Sequence, residues 1–277
     1  MKLRQRGRAR GPERSAEGNT PRARAVTLTA STRAGSPLDR PAPPPLRLNL
    51  LGGFELIRCG RSVPVALGSQ RLVSFLALQT RPVLRRYVAG TLWPHKNEAR
   101  ATANLRTVLW RLSPLEIVDV APNHLRLAPA VSVDLSDALA AAARLLDPAV
   151  PLGEVGFDDS LLACELLPDW YDDWVLTERE RIRQLRLHAL EALCVRCTEE
   201  GRAAAAIAAG LAAVAAEPLR ESSHRVLVEA HLSEGNQAEA LRQYLHYRDL
   251  LRDNLGVEPS PRITSLVAPM LEFVPTT

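Results

Sequence analysis

Asn97-Glu-Ala-Arg-Ala-Thr-Ala-Asn-Leu-Arg-Thr-Val-Leu-Trp-Arg-Leu112 is the stretch that decides the fold. With Leu105 at zero and about 100° per residue, Ala101, Val108, Leu109 and Leu112 fall within about 60° of it, a stripe fit for burial. Ala103, Thr107, Trp110 and Arg100 lie opposite, flanked by Asn104, Arg106 and Arg111. Ser113-Pro114 stops the helix. No carboxylate occurs between Ala99 and Leu115. The outward face therefore offers Arg, Asn and Thr, the side chains that reach base edges and phosphates in a duplex groove.

Two further helical patterns precede this one. From Ser69 the apolar period is helical, with Leu72, Phe75, Leu76 and Leu78 on one side, and Leu84–Trp93 forms a second helix closed by Pro94. Before them, Leu46, Leu48 and Leu50 alternate, Phe54-Glu-Leu-Ile57 follows Gly52-Gly53, and short β segments are expected around Val63–Val65. After the third helix, Ile117–Val120 and Leu125–Leu127 read as two strands around the turn Ala121-Pro-Asn-His124. Strands, three helices and a closing hairpin are the element order of a winged helix-turn-helix.

The hairpin supplies a second candidate surface. Leu125 and Leu127 should pack inward, leaving Arg126 on the other face near Asn123 and His124. These three either approach the minor groove and phosphates or belong to a hairpin that only closes the domain. Arg85 and Arg86, opening the second helix, form a candidate phosphate clamp.

Beyond Asp134 the pattern is all helical: Leu135–Leu146, a loop over 147–160, then helices from Asp169 onward. Glu200-Gly201 recurs 34 residues later as Glu234-Gly235, and Ala206-Ile207 as Ala240-Leu241. That period, with Gly at a helix–helix turn and small residues where helices meet, is a tetratricopeptide pattern. The expected fold is mostly α with a small β component: a basic tail over 1–45, a winged helix-turn-helix over 46–132, and an all-α, tetratricopeptide-like repeat domain over 133–277.

The charge follows this division. The chain has 277 residues and a formal net charge of +4, but 1–45 carries 10 cations and 3 anions, 46–134 carries 12 and 5, and 135–277 carries 13 and 23. A basic part joined to an acidic part implies a polyanionic partner for the first and a different partner for the second. The tail, with Arg4, Arg6, Arg8 and Arg10, lacks apolar periodicity and should be disordered. Its readings are a dispensable extension, a start codon set too early, or a nonspecific attractor of nucleic acid. A transit peptide shares its composition. No apolar run approaches the roughly 18 residues of a membrane span.

Chemistry of other kinds finds little footing. Cys194-Val-Arg-Cys197 has redox or zinc spacing but lies inside the helical pattern Leu185–Thr198, so plain core or surface thiols are expected. Leu167-Pro-Asp-Trp-Tyr-Asp-Asp-Trp174 gathers acids and aromatics where a helix begins, with Asp169, Asp172 and Asp173 suited to its N-terminus. No phosphate-binding glycine loop or placed nucleophile accompanies it. No catalytic, cofactor or metal site is expected, and the chain is read as not an enzyme.

Leu48-Asn-Leu-Leu-Gly-Gly-Phe-Glu55, Leu92-Trp-Pro94 and Ala103–Leu112 resemble the OmpR-type winged helix of the Streptomyces antibiotic regulatory protein family. Leu167–Trp174, Glu178-Arg-Glu-Arg181, Glu217-Pro-Leu-Arg-Glu221 and Leu255-Gly-Val-Glu-Pro-Ser-Pro261 are similar to that family's bacterial transcriptional activator domain. The likeness runs from Leu46 to Met270. It implies a pathway-specific activator of secondary-metabolite (antibiotic) genes. Such a protein binds direct repeats in double-stranded promoter DNA near the −35 region, as side-by-side protomers, and contacts RNA polymerase holoenzyme. It implies a cytoplasmic, nucleoid-associated protein with no membrane partner. The DNA-facing residues would be Arg85, Arg86, Arg100, Asn104, Arg106, Thr107, Arg111, Asn123, His124 and Arg126. The wing turn Pro122-Asn-His124, Asn254 in place of an acid, and the Arg-rich tail depart from the family pattern. Without the nucleotide hydrolase module of large members, the chain reads as a small, single-function one. The alternative is a helical-repeat scaffold or signalling protein whose winged helix docks protein. An acidic or apolar third-helix face would mark it.

Overall fold

The computed structural model describes residues 46–154 and 164–272. The expectations for the tail, and for part of the loop over 147–160, lie outside the described residues.

Alternation of Leu46, Leu48 and Leu50 buries one side of β1 (Leu46–Asn49). β1 pairs antiparallel with β2 (Glu55–Arg58), which turns through Cys59 (φ 49°) and Gly60 (φ 76°) into β3 (Arg61–Ser62). Two successive positive φ angles match the turn that follows strand twist in a two-residue hairpin. The strand expected around Val63–Val65 is displaced to Arg61–Ser62. The Val63 N–H still donates to the Leu56 carbonyl (2.7 Å), but Pro64 has no N–H with which to extend a ladder.

α1 (Leu67–Ala77) buries Leu72, Val73, Phe75 and Leu76; Leu78 becomes its half-buried C-cap. β4 (Val83–Leu84) leads into α2 (Arg85–Leu92), which ends before Pro94. α3 (Glu98–Leu112) follows, then β5 (Val118–Val120) and β6 (His124–Leu127). β4 was invisible at two residues, yet it pairs with β6 and makes the wing three-stranded, in the order β4-β6-β5. β7 (Val131–Val133), also unforeseen, lies parallel to β1 and completes the sheet β3-β2-β1-β7.

The helical half contains α4 (Asp134–Leu146), α5 (Asp173–Glu199), α6 (Ala203–Ala216), α7 (Glu221–Ser233), α8 (Gln237–Leu255) and α9 (Pro261–Leu271). The 34-residue repeat appears as geometry. Gly201 (φ 70°) and Gly235 (φ 81°) terminate α5 and α7. In each turn the following N–H reaches back five residues, Arg202 to the Cys197 carbonyl (2.8 Å) and Asn236 to the His231 carbonyl (2.9 Å). This is the Schellman closure, which satisfies otherwise orphaned carbonyls. Ala206, Ala209, Gly210 and Ala213 line the buried side of α6, letting it lie close to its neighbours.

The two halves meet in one hydrophobic core. Asp169 was expected near a helix start, but α5 begins at Asp173 with Asp172 as N-cap. The Asp172 carboxylate makes no cap; it pairs with Arg71 of α1. Trp170, in the turn before the helix, stacks on Phe54 (6.3 Å), and Trp174 meets Phe75 edge-on (5.3 Å). Leu51 bridges Leu166, and the N–H groups of Gly52 and Leu167 donate across to Glu165 and Leu50 (2.7 and 2.9 Å). Arg179 secures this loop by donating to the carbonyls of Leu166, Leu167 and Trp170.

Candidate nucleic-acid interface

α3 is placed by its own ends and its buried stripe. The Asn97 side chain caps it, accepting the Arg100 N–H (3.0 Å), with Glu98 in the first turn and Arg111 in the last, each complementing the dipole. Ala101, Leu105, Val108 and Leu112 are buried; Leu109 is half-buried. The opposite face is in water: Arg100, Ala103, Arg106, Thr107, Trp110 and Arg111 are exposed, and Asn104 is half-buried. The Thr107 hydroxyl donates to the Ala103 carbonyl one turn back (3.1 Å).

The wing tip is fixed against α2. Leu84 pairs with His124, and the Arg85 N–H donates to the Asn123 carbonyl (2.9 Å). A groove of about 430 Å³ results, lined by Arg85, Arg86, Thr102, Asn123 and His124 together with Leu84 and Leu105. It brings four of the expected residues beside α3. The Arg85 N–H is already committed, so that amide adds nothing for an anion, and the two guanidiniums supply the positive charge at this end of α2. Arg86 lies 3.3 Å from Glu98, both largely exposed, a pairing worth little in water.

Arg126 is not brought to this groove. Register places it opposite Asp119, whose carboxylate accepts from Nε and Nη2 (2.9 and 2.8 Å). It lines a separate, larger groove with Arg81, Pro82, Val120 and His124. Thr102 in the first groove and Arg81 in the second were not singled out from sequence. Helical phase sets Thr102 about 60° from Leu105, at the edge of the buried stripe, and Arg81 acquires its place only through the two-residue strand β4.

Ion pairing follows the same division as net charge. Among the described residues, Arg58, Arg61, Arg81, Arg85, Lys96, Arg100, Arg106 and Arg111 of the winged helix have no carboxylate partner. In the helical half Arg179, Arg181, Arg183, Arg202, Arg220, Arg225, Arg242, Arg248 and Arg252 are each paired with an acid. Free positive charge is thus concentrated on the domain that bears α3. Elsewhere, Cys194 and Cys197 are buried in the unbroken α5, and burial pushes the Cys194 thiol up to about 12. That thiol is packing, not a nucleophile.

A winged helix-turn-helix joined to tetratricopeptide-like helical repeats defines a class of transcriptional regulator. Residues 127–271 match the family described as the bacterial transcriptional activator domain. The chain is 30% identical over 261 residues to regulatory protein AfsR of Streptomyces coelicolor, covering 88% of this chain and 26% of that protein. It is 28% identical over 242 residues to regulatory protein AfsR of Streptomyces griseus, covering 80% and 24%. It therefore spans about a quarter of the length of these relatives. A solved structure of Mycobacterium tuberculosis EmbR, in complex with a low affinity phosphopeptide, superposes with a TM-score of 0.64 at 25% identity. That match covers 84% of this chain and 66% of that one. The chain belongs to the bacterial transcriptional activator domain family, and the AfsR likeness supports its place among the Streptomyces antibiotic regulatory proteins. Among the described residues no helix is long and apolar enough to cross a membrane.

Proposed function

We propose that this chain is a sequence-specific DNA-binding transcriptional activator in which the winged helix (46–132) engages promoter DNA and the helical half (133–277) engages RNA polymerase. In this reading α3 enters the major groove, with Arg100, Asn104, Arg106, Thr107 and Arg111 toward bases and phosphates. Arg85, Arg86, Asn123 and His124 track the adjoining backbone, and Arg126 has at most a secondary part. Side-by-side protomers on direct repeats, and control of a secondary-metabolite pathway, belong to the same proposal and rest on the family likeness.

The observation that carries it is the outward face of α3: Arg100, Arg106 and Arg111 all lack a carboxylate partner, while the helical half uses most of its Arg internally. Footprinting on genomic DNA tests it. Protection of direct repeats about one helical turn apart is the expected result. Unchanged affinity of Arg100→Ala and Arg111→Ala for the protected fragment at fixed salt would remove α3 from the interface. Absence of any salt-dependent protection would remove the function itself.

A further inference from the structure

The row of α3 directly opposite its buried stripe is not composed of hydrogen-bond donors. At about 100° per residue, Ala103 and Trp110 lie within about 20° of each other and of the direction away from the core, with Thr107 beside them. Trp110 is 76% exposed and makes no ring contact among the described residues. Ala103 adds a methyl. Thr107 has committed its hydroxyl proton to the Ala103 carbonyl, so it offers a partner a methyl and lone pairs, not a donor.

The exposed indole and the Ala103 methyl form a narrow apolar strip flanked by guanidiniums, a surface suited to a cover that offers both charge and an apolar group. Arg106 on one side and Arg100 and Arg111 on the other, all without carboxylate partners, select a polyanion as that cover and disfavour an apolar protein face. The apolar group a DNA major groove presents is the C5-methyl of thymine. Seven residues of helix rise about 10 Å, which spans about three base-pair steps.

We infer that Ala103, Thr107 and Trp110 form a reading row for thymine methyl groups over successive base pairs, and that Trp110 is a specificity-determining residue. This rests on the DNA-binding reading above and extends it: the Arg residues hold the duplex, and the apolar row chooses among sequences.

The test uses the full chain and the footprinted promoter fragment, with each thymine in turn replaced by uracil, which removes only the methyl. Wild-type affinity should fall about fourfold at each contacted thymine, the factor expected for losing one methyl-sized apolar contact. Trp110→Ala should bind the unmodified fragment more weakly and no longer distinguish thymine from uracil at its position, whereas Trp110→Phe should retain the distinction. Three results overturn the inference while leaving DNA binding intact. One is a wild-type protein indifferent to every thymine-to-uracil change. Another is Trp110→Ala with undiminished affinity, and the third is Trp110→Ala that loses affinity while keeping the full uracil penalty. If no fragment shows salt-dependent binding at all, it is the functional reading that fails.

Discussion

The carboxylate of Asp134 accepts the backbone N–H of Leu50 with both oxygens, at 2.9 and 3.0 Å, across 84 residues of sequence. It also takes the N–H of Leu51 (3.0 Å) and of Leu135 (2.6 Å). Burial pushes this carboxyl above its ordinary range, while the Leu51, Leu50 and Leu135 amides pull it back down. One side chain therefore both opens α4 and receives the end of β1, joining the winged helix to the helical half. Asp134→Ala leaves the Leu50 and Leu51 amides without acceptors in a buried place. A loss of about 3 kcal/mol is expected in chemical denaturation. A midpoint within error of wild type would show that water replaces the carboxylate at no cost.

Trp174 ties the halves from the other side, edge-on to both Phe75 (5.3 Å) and Trp170 (6.3 Å). Trp174→Ala should cost about 3 kcal/mol and uncouple the halves, so that one thermal transition becomes two. Retention of a single transition at an unchanged temperature would mean that the polar latch alone carries the coupling.

His224 should make stability depend on acidity. It is fully buried, its Nε2–H donates to the Pro218 carbonyl (2.9 Å), Nδ1 accepts from the Gln243 amide (2.8 Å), and it stacks on Tyr247. This is the neutral tautomer, and burial lowers its pKa from 6.5 to about 4. Above pH 6.5 neither folded nor unfolded imidazole takes a proton. Between 6.5 and 4 only the unfolded one does, so stability falls as pH falls through that window. Roughly 3 kcal/mol should separate pH 7 from pH 4 on this account. Denaturation of His224→Gln at both pH values should show a drop smaller by that amount; equal drops would assign the acid sensitivity elsewhere.

Arg111 and Arg126 should part company in a salt titration. Arg111 is unpaired on α3, whereas Asp119 holds Arg126 by two hydrogen bonds. Arg111→Ala should reduce the slope of log affinity against log salt by about 0.9 if it meets a phosphate. Arg126→Ala should change it far less. The reverse ranking would transfer the phosphate contact to the wing.

Gly210 sits where α6 lies close against α5 and α7. A Cβ there would stand 3.0 and 3.1 Å from Leu227 side-chain atoms and 3.3 Å from the Cys194 sulfur. Gly210→Val should cost about 1–3 kcal/mol through overpacking. A neutral effect in denaturation would show that α6 and α7 can separate freely.

The sequence alone carried the long periodic elements. The buried stripe of α3, its stops, and the glycine turns 34 residues apart were all visible because each repeats a local rule several times. Strands β3, β4 and β7 were not, since two or three residues set no period and these strands exist only through their partners. The pairing of Arg126 with Asp119 followed from hairpin register, a signal that was present but goes unseen when each side chain is taken singly. Trp170 and Trp174 stand four residues apart in the sequence, but nothing local could name Phe54 and Phe75 as the surfaces they meet.

The same seam has a geometric consequence. With Leu50 and Gly52, just after β1, hydrogen-bonded to Leu167 and Glu165 and Phe75 set against Trp174, the winged helix and the helical repeats are tied at several points. Bound to a duplex, a body so tied would turn about the DNA axis by roughly 34° for every base pair its site is moved. Five inserted base pairs would aim the helical half away from a partner fixed on the same DNA, and ten would aim it back. On the proposed function, the contact between these two halves would set the azimuth of the helical half on the promoter as well as its distance along it.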